Sequence, residues 1–147
     1  MLILVGHDSQ TGNIFAHVVP KKGEHPWAVR RISQSIGAWG YPEWCIKTDG
    51  EPAIQSLTDL VRRDRMLQGE RVLWEEARRG ESQTNGLVEN AVGLVKRQAK
   101  SMMSGLSARM KETLDTSSVW VYWLVRHAAA LINRFQVGQT ERQYMSA

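Results

Sequence analysis

Residues 85–104 read NGLVENAVGLVKRQAKSMMS, and this stretch predicts a helix from residue 86 to about residue 104. Asn and Gly precede the periodic part, and Gly105 follows it as a stop signal. Apolar side chains recur at intervals of three and four residues, as expected for one side of a helix: Val88, Val92, Val95, Ala99 and Met102. The helix is therefore expected to pack against a core along this stripe.

A neighbouring face of this predicted helix is charged. Glu89, Lys96 and Lys100 recur on it at helical spacing, and Arg97 lies beside them. A carboxylate in the first turn of a helix is stabilised by the helix dipole, which explains Glu89 without any function. The three cations are equally well explained as a solvated face. A carboxylate beside a basic strip also suits a site that holds a metal ion next to a phosphate backbone, because lysine and arginine neutralise phosphates.

A second carboxylate stands in the segment KTDG at residues 47–50, directly after a short apolar run that is predicted to be a strand. Ligands of α/β proteins bind beyond the carboxyl ends of strands, so Asp49 is a candidate ligand. An aspartate before a helix is also a common cap, and Pro52 marks such a helix start. Mg²⁺ takes one or two carboxylates together with substrate phosphates. We interpret Asp49 and Glu89 as metal ligands that meet in space.

The composition is that of a single folded domain. A chain of 147 residues is long enough for one core and short for two, and 42% hydrophobic with 23% charged residues excludes a disordered class. No apolar run approaches the roughly 20 residues that cross a bilayer. The single Cys45 cannot form an internal disulfide and no signal peptide is recognisable, so an intracellular, reducing compartment is expected. A net charge of +4 is compatible with a nucleic-acid partner without requiring one.

The rest of the chain predicts four strands and three further helices. The strands are expected at residues 2–6, 14–19, 44–46 and 71–74, and the helices at residues 26–35, 52–65 and 117–135. This order predicts an α/β fold in which one mixed sheet carries helices on its faces. We expect one domain over residues 1–135, a surface loop over residues 77–85 and a loose tail over residues 136–147.

The last of these helices is apolar almost all round. Such a helix is expected to be buried, either in this chain or against a partner. Ser117 or Ser118 is a candidate for its N-terminal cap, since a serine hydroxyl can accept a hydrogen bond from a free backbone N–H of the first turn.

Three segments of the chain follow one another in a characteristic order: the predicted hairpin at residues 2–19, KTDG at residues 47–50 and SQTNGLVEN at residues 82–90. In this order and spacing they resemble the catalytic core of retroviral and retrotransposon integrases. The resemblance covers roughly residues 2–105. It implies a ribonuclease-H-like mixed sheet flanked by helices, with about four strands present here and the first strand missing.

The resemblance implies a polynucleotidyl transferase that depends on Mg²⁺ or Mn²⁺ and has a two-metal site. In the family, three acidic residues bind the two ions. The ions activate water to nick a DNA end and then activate the freed 3′-hydroxyl to attack target DNA. Asp49 and Glu89 match the second and third of these acids.

The resemblance also implies a set of DNA-binding residues. Lys96 matches a lysine that contacts DNA, and Asn85 matches a flexible-loop residue near the DNA end. Lys100 and Arg97 join this set because they lie on or beside the same helix face. The partners implied are the DNA ends of the element and its target DNA, with a homo-oligomeric protein that acts in the nucleus on chromosomal DNA.

The chain departs from the family pattern in three places. Thirty-nine residues lie between Asp49 and Glu89, slightly more than usual, and Gly93 stands where many members have a second lysine. The first catalytic aspartate belongs on a strand before the hairpin, whereas Asp8 aligns with the hairpin turn. We therefore expect that the first acid is missing, and that the chain is an integrase core incomplete at its N-terminus and inactive as it stands.

The main alternative is a degenerate or domesticated module on the same fold that binds DNA or assembles without catalysis. A transposase or ribonuclease H relative is a second alternative, although the segment QTNG at residues 83–86 favours integrase. A structural module that dimerises through its last helix is the third. These alternatives differ in whether they predict DNA binding, metal dependence and self-association.

Overall fold

The computed structural model describes residues 1–74 and 82–135, and its description of side chains covers residues 1–73 and 86–135. The chain divides into two compact units: Met1–Leu2 with Val19–Gly86, and Ile3–Val18 with Leu87–Ala147. The single domain expected over residues 1–135 stays a prediction. The tail expected over residues 136–147 lies outside the described residues.

The order of elements is that of a mixed α/β protein, as predicted. The strands are β1 (Leu2–His7), β2 (Ile14–Val19), β3 (Glu43–Ile46) and β4 (Arg71–Trp74), and the helices are α1 (Pro26–Trp39), α2 (Pro52–Leu67), α3 (Ser82–Met110) and α4 (Val119–Phe135). The described strands form two two-stranded sheets, β1 with β2 and β3 with β4, instead of the predicted single mixed sheet. The ribonuclease-H-like arrangement implied by the resemblance stays a prediction.

The pairing of β1 with β2 is a hairpin, because a six-residue connection is too short to join parallel strands. Its turn is closed by two backbone hydrogen bonds of 2.8 Å, from the N–H of Asp8 to the carbonyl of Asn13 and from the N–H of Gly12 to the carbonyl of Asp8. Gly12 has φ 75°, a conformation that glycine adopts without steric cost. The predicted hairpin is therefore confirmed.

In the second unit, one core joins β2, α3 and α4. Its members are small or β-branched, so the three elements approach closely: Ile14, Ala16, Val18, Ala91, Val95, Ala99, Val121, Val125, Ala128 and Ala129. Val95 and Ala99 of the predicted stripe lie in this core, and Met102 packs against it. Val88 is 36% exposed, so the stripe was predicted too far toward the helix N-terminus. Among the side chains of α3 that are described, those from residue 86 onward, the first buried one is Ala91.

The bounds of α3 differ from the prediction at both ends. The helix begins at Ser82 instead of residue 86 and continues past Gly105 to Met110. A glycine inside a helix costs only about 1 kcal/mol relative to alanine, so it is a weak stop signal. Half-buried Leu106 continues the apolar row beyond it. The chain leaves the helix at Lys111, which has φ 55°.

In the first unit, β3 and β4 are parallel and are joined through α2. Helix α1 packs against α2, and α2 packs against β4. The buried apolar side chains of the two helices recur at intervals of four residues, as expected for one face of each helix: Ala28, Ile32 and Ile36 on α1, and Leu57 and Val61 on α2. Helix α1 ends at Trp39, four residues later than predicted, because Gly40 rather than Gly37 provides the left-handed C-terminal residue with φ 76°.

Helix α4 buries one side only within the described chain. Its buried residues are Val121, Leu124, Val125, Ala128 and Ala129, whereas Trp120 and Trp123 are 53% and 54% exposed. Of the two candidate caps, Ser118 accepts a long hydrogen bond of 3.4 Å from the N–H of Trp120. Within the part of the chain that the structure describes, no helix has the length and apolar character needed to cross a membrane.

The side chain of Asn133 on α4 forms hydrogen bonds with the backbone of Ile14, the first residue of β2. Its side-chain carbonyl accepts a 2.8 Å hydrogen bond from the N–H of Ile14, and its amide donates a 2.7 Å bond to the carbonyl of Ile14. We expect Asn133→Ala to lower the free energy of unfolding by about 1–2 kcal/mol, because the backbone groups of buried Ile14 lose both partners.

Urea denaturation of purified variants measures this difference. Asn90→Ala is the matched control, since the side chain of Asn90 is exposed on α3 and forms no hydrogen bond with a described residue. It should change the free energy of unfolding by less than about 0.5 kcal/mol. Equal effects of the two alanine variants would show that the Asn133 hydrogen bonds contribute nothing.

Candidate metal and nucleic-acid site

Asp49 lies on the loop between β3, which ends at Ile46, and α2, which begins at Pro52. The side chain is exposed, and its Oδ1 accepts a 3.1 Å hydrogen bond from the N–H of Glu51, the N-cap residue of α2. The capping alternative is therefore realised in part. Among the described residues, the second carboxylate oxygen has no hydrogen-bond donor, so it can bind a cation.

The neighbouring acid on this loop is already paired. Glu51 forms an ion pair of 3.1 Å with Lys22. Gly50, between the two acids, has φ 84° and turns the chain into α2. Asp49 is therefore the carboxylate of this loop that has no cationic partner among the described side chains.

Glu89 lies further inside α3 than predicted. Because α3 begins at Ser82, Glu89 is not in the first turn, and the first turn contains no acidic residue. The helix dipole acts mainly within the first turn, so the dipole explanation of Glu89 was wrong. The carboxylate is exposed and forms no ion pair or hydrogen bond within the described part of the chain.

Three cations follow Glu89 on α3. Lys96, Arg97 and Lys100 are all exposed. None of the three forms an ion pair with a carboxylate that the structure describes, unlike the arginines of α2, where Arg63 pairs with Asp59 at 2.9 Å. Exposure alone fits both a solvated face and an anion-binding face. The lack of neutralising acids leaves the full positive charge available to a ligand.

Asn85 was predicted to lie in a flexible loop over residues 77–85. The structure places it inside α3 instead, because residues 82–85 are helical. Its side chain lies outside the described side chains, and so do residues 75–81 of the predicted loop. The role of Asn85 near a DNA end stays a prediction.

The structure brings four of the predicted residues together on one helix: Glu89, Lys96, Arg97 and Lys100. Asp49 belongs to the other compact unit, so its meeting with Glu89 stays a prediction. Within the described residues there is no group of three or more His, Cys, Asp or Glu side chains that could hold a metal ion. A site with two carboxylates would depend on substrate phosphates for its remaining ligands.

Asp8 is a turn residue, as predicted. It is buried, and both of its carboxylate oxygens accept local hydrogen bonds, Oδ1 from the N–H of Gln10 at 3.0 Å and Oδ2 from the hydroxyl of Thr11 at 2.7 Å. These bonds hold the hairpin turn. That Asp8 is not the first metal-binding acid stays a prediction.

Sequence reasoning missed the polar cluster that supports the Asp49 loop. Glu70 accepts hydrogen bonds from the Nε of Arg65 at 3.0 Å and from the indole N–H of Trp44 at 2.8 Å, and it pairs with the Nη2 of Arg65. The hydrogen bonds from Arg65 hold the pKa of Glu70 below its ordinary value, although burial raises it, and the Trp44 bond lowers it further.

This cluster joins three elements of the first unit. Arg65 is in the last turn of α2, Trp44 is in β3, and Glu70 directly precedes β4. Strand β3 and helix α2 flank the Asp49 loop, so the cluster holds the two supports of that loop together. In the sequence, the available signal for this cluster was that Arg65 and Glu70 stand on opposite sides of the turn residue Gly69.

No family model matches this chain, and no curated protein matches it. The resemblance to integrases therefore rests on the residues of the three segments and on their order. It stays a prediction after these comparisons.

Proposed function

We propose that this chain is a DNA-binding integrase-type core of a retroelement with a ribonuclease-H-like fold. The observation that carries the proposal is the row of three exposed cations on α3, unpaired among the described side chains, that follows Glu89. From Lys96 to Lys100 the helix rises about 6 Å, so the row can contact neighbouring phosphates of one strand. Lysine and arginine in such a row bind the DNA backbone without reading its sequence.

Asp49 and Glu89 are the residues that would hold Mg²⁺ or Mn²⁺. Each has a carboxylate oxygen that no described side chain neutralises, and hard divalent cations prefer such oxygen ligands. The bound ions would activate the attacking oxygen and stabilise the leaving oxygen at phosphorus. Two of the three acids that the resemblance implies are matched here. We therefore expect weak metal binding and no strand transfer by this chain alone.

Binding of a labelled DNA duplex, followed by fluorescence anisotropy, tests the proposal. We expect the double variant Lys96→Ala, Lys100→Ala to reduce the slope of log affinity against log salt by about 1.8, because two phosphate contacts are lost. At about 0.1 M salt this corresponds to an affinity loss of about 60-fold relative to 1 M salt, where the salt-dependent attraction is nearly absent. The double variant Arg109→Ala, Arg126→Ala removes the same charge from exposed positions elsewhere in the unit and is the matched control.

The outcomes of this measurement separate the explanations. Equal losses in the two double variants would show that net charge alone attracts DNA, and no binding at low salt would overturn the proposal. Strand-transfer activity with Mn²⁺ that Asp49→Asn abolishes would show instead that the acid set is complete. We expect the nuclear location implied by the resemblance only if DNA binding is found.

A non-catalytic assembly module is the second candidate function. The exposed apolar side of α4 favours it, with Val119, Trp120, Tyr122 and Trp123 all open to solvent in the described chain. Exposed apolar patches mark interaction surfaces, and a homo-oligomer would cover this one. Sedimentation at several concentrations tests self-association. DNA binding that is unchanged in Glu89→Gln and indifferent to Mg²⁺ would favour this module over an integrase.

A further inference from the structure

The guanidinium group of Arg97 lies against the backbone at Gly93, one helical turn before it. A Cβ atom placed on Gly93 would lie 3.3 Å from Nη1 of Arg97, and outside its chain neighbours and the backbone of its own helix it would meet no other described heavy atom within 4 Å. Long side chains of a helix lean toward its N-terminus and cover the residue four positions earlier. Gly93 is the one position of this charged face where that surface has no side chain.

This contact changes where the charge of Arg97 is presented. By its Cα position, Arg97 lies about 80° around the helix and about 12 Å along it from Glu89. Gly93 lies only about 40° around and about 6 Å along from Glu89. A guanidinium that lies over Gly93 is therefore brought back to the face that carries Glu89, Lys96 and Lys100.

We propose that Gly93 is a positioning residue that seats the guanidinium of Arg97 over Gly93, on the helix face that carries Glu89, where it binds a DNA phosphate. The inference rests on the proposed DNA-binding function. Arg97 forms no ion pair with a described carboxylate, so its charge is free for this use. A planar guanidinium can bind two oxygens of one phosphate at the same time, which a lysine ammonium group cannot do in this geometry.

The glycine itself supports a positional role. Glycine is the least favourable residue in a helix interior apart from proline, so Gly93 destabilises the middle of α3. A larger side chain at this position would displace the guanidinium from the helix backbone. Gly105 lies in the same helix, and Arg109 follows it four residues later without coming within 4 Å of a Cβ placed on this glycine. It is therefore a matched Gly–Arg pair that lacks the contact.

Three variants test the inference in the duplex-binding measurement: Gly93→Val, Gly105→Val and Arg97→Ala. We expect Arg97→Ala to weaken binding about 5- to 10-fold at about 0.1 M salt and to reduce the salt slope by about 0.9. Gly93→Val should reproduce this loss, while Gly105→Val should bind as the unmodified protein does. In the combination Gly93→Val, Arg97→Ala, the valine should add no further loss.

Each other result overturns the inference. If Gly93→Val binds like the unmodified protein while Arg97→Ala is weakened, Arg97 contacts DNA without help from Gly93. If both valine variants are weakened equally, the helix as a whole is disturbed. If the valine weakens binding further in the Arg97→Ala background, Gly93 acts through another group. If no variant and not even the unmodified protein binds at low salt, the proposed function fails together with the inference.

Discussion

Glu70→Gln should lower the free energy of unfolding by about 2–3 kcal/mol. The side chains of Arg65 and Glu70 are only 15% and 12% exposed, and the substitution leaves the buried arginine charge without its carboxylate. Removing one partner of a fully buried pair costs about 3–5 kcal/mol, and partial access to water reduces this value. Urea denaturation, followed by tryptophan fluorescence, measures the change.

The effect of Glu70→Gln should depend on pH. The hydrogen bonds from Arg65 lower the pKa of Glu70 in the folded protein. The carboxylate therefore stabilises the fold fully at every pH above the ordinary pKa that Glu70 has in the unfolded chain. As the pH falls through the lowered pKa, the carboxylate is protonated in both states and this stabilisation is lost. The difference between the two proteins should therefore be constant from neutral pH down to about pH 5, and shrink below about pH 4.

Glu43→Gln is the control for this experiment. Glu43 pairs with Arg71 at 3.5 Å across the same two strands, but these side chains are 52% and 75% exposed. An exposed pair of this kind contributes at most about 1 kcal/mol, with a median near zero. If Glu43→Gln and Glu70→Gln have equal effects, or if the Glu70 effect does not change with pH, the cluster does not stabilise the first unit as described.

Gly37→Ala should destabilise the protein by about 1–2 kcal/mol, opposite to the usual effect of this change in a helix. A Cβ on Gly37 of α1 would lie 2.7–2.8 Å from three atoms of the Arg65 guanidinium. Because Glu70 holds this guanidinium by hydrogen bonds, it cannot move aside without breaking them. Thermal and urea denaturation of the variant measure the loss.

Two further variants decide whether Arg65 is the cause. Gly105→Ala, at an open position of α3, should stabilise the protein by about 0.5–1 kcal/mol, since alanine favours the helix. In an Arg65→Met background, Gly37→Ala should lose most of its destabilising effect, because a flexible thioether can yield to the new methyl group. A stabilising Gly37→Ala in the unmodified protein would contradict the contact.

Both predictions concern the support of the candidate site. The Arg65 guanidinium links α1, α2 and the start of β4 through Gly37 and Glu70, and Trp44 adds β3 to the same cluster. The Asp49 loop is carried between β3 and α2. A carboxylate that is to bind a cation must be held in one place, so this cluster contributes to any function of Asp49 through its position.

The order of elements, the hairpin and the turn role of Asp8 were all predictable from the sequence. These features depend on neighbours in the chain: a strand run is bounded by turn residues, and the carboxylate of Asp8 accepts bonds from residues two and three positions ahead. The cations on α3 were likewise predictable from helical spacing alone. For the same reason, the capping contact of Asp49 with Glu51 was foreseen as an alternative.

The ends of α1 and α3, the half-exposed side of α4 and the Glu70 cluster depended on the tertiary structure. Gly37 and Gly105 look like equivalent stop signals in the sequence, yet both lie inside helices. At Gly37 a guanidinium from another helix occupies the space of the missing side chain, and at Gly105 the apolar row continues into Leu106. Local propensities differ by about 1 kcal/mol per residue, so packing between distant segments overrides them.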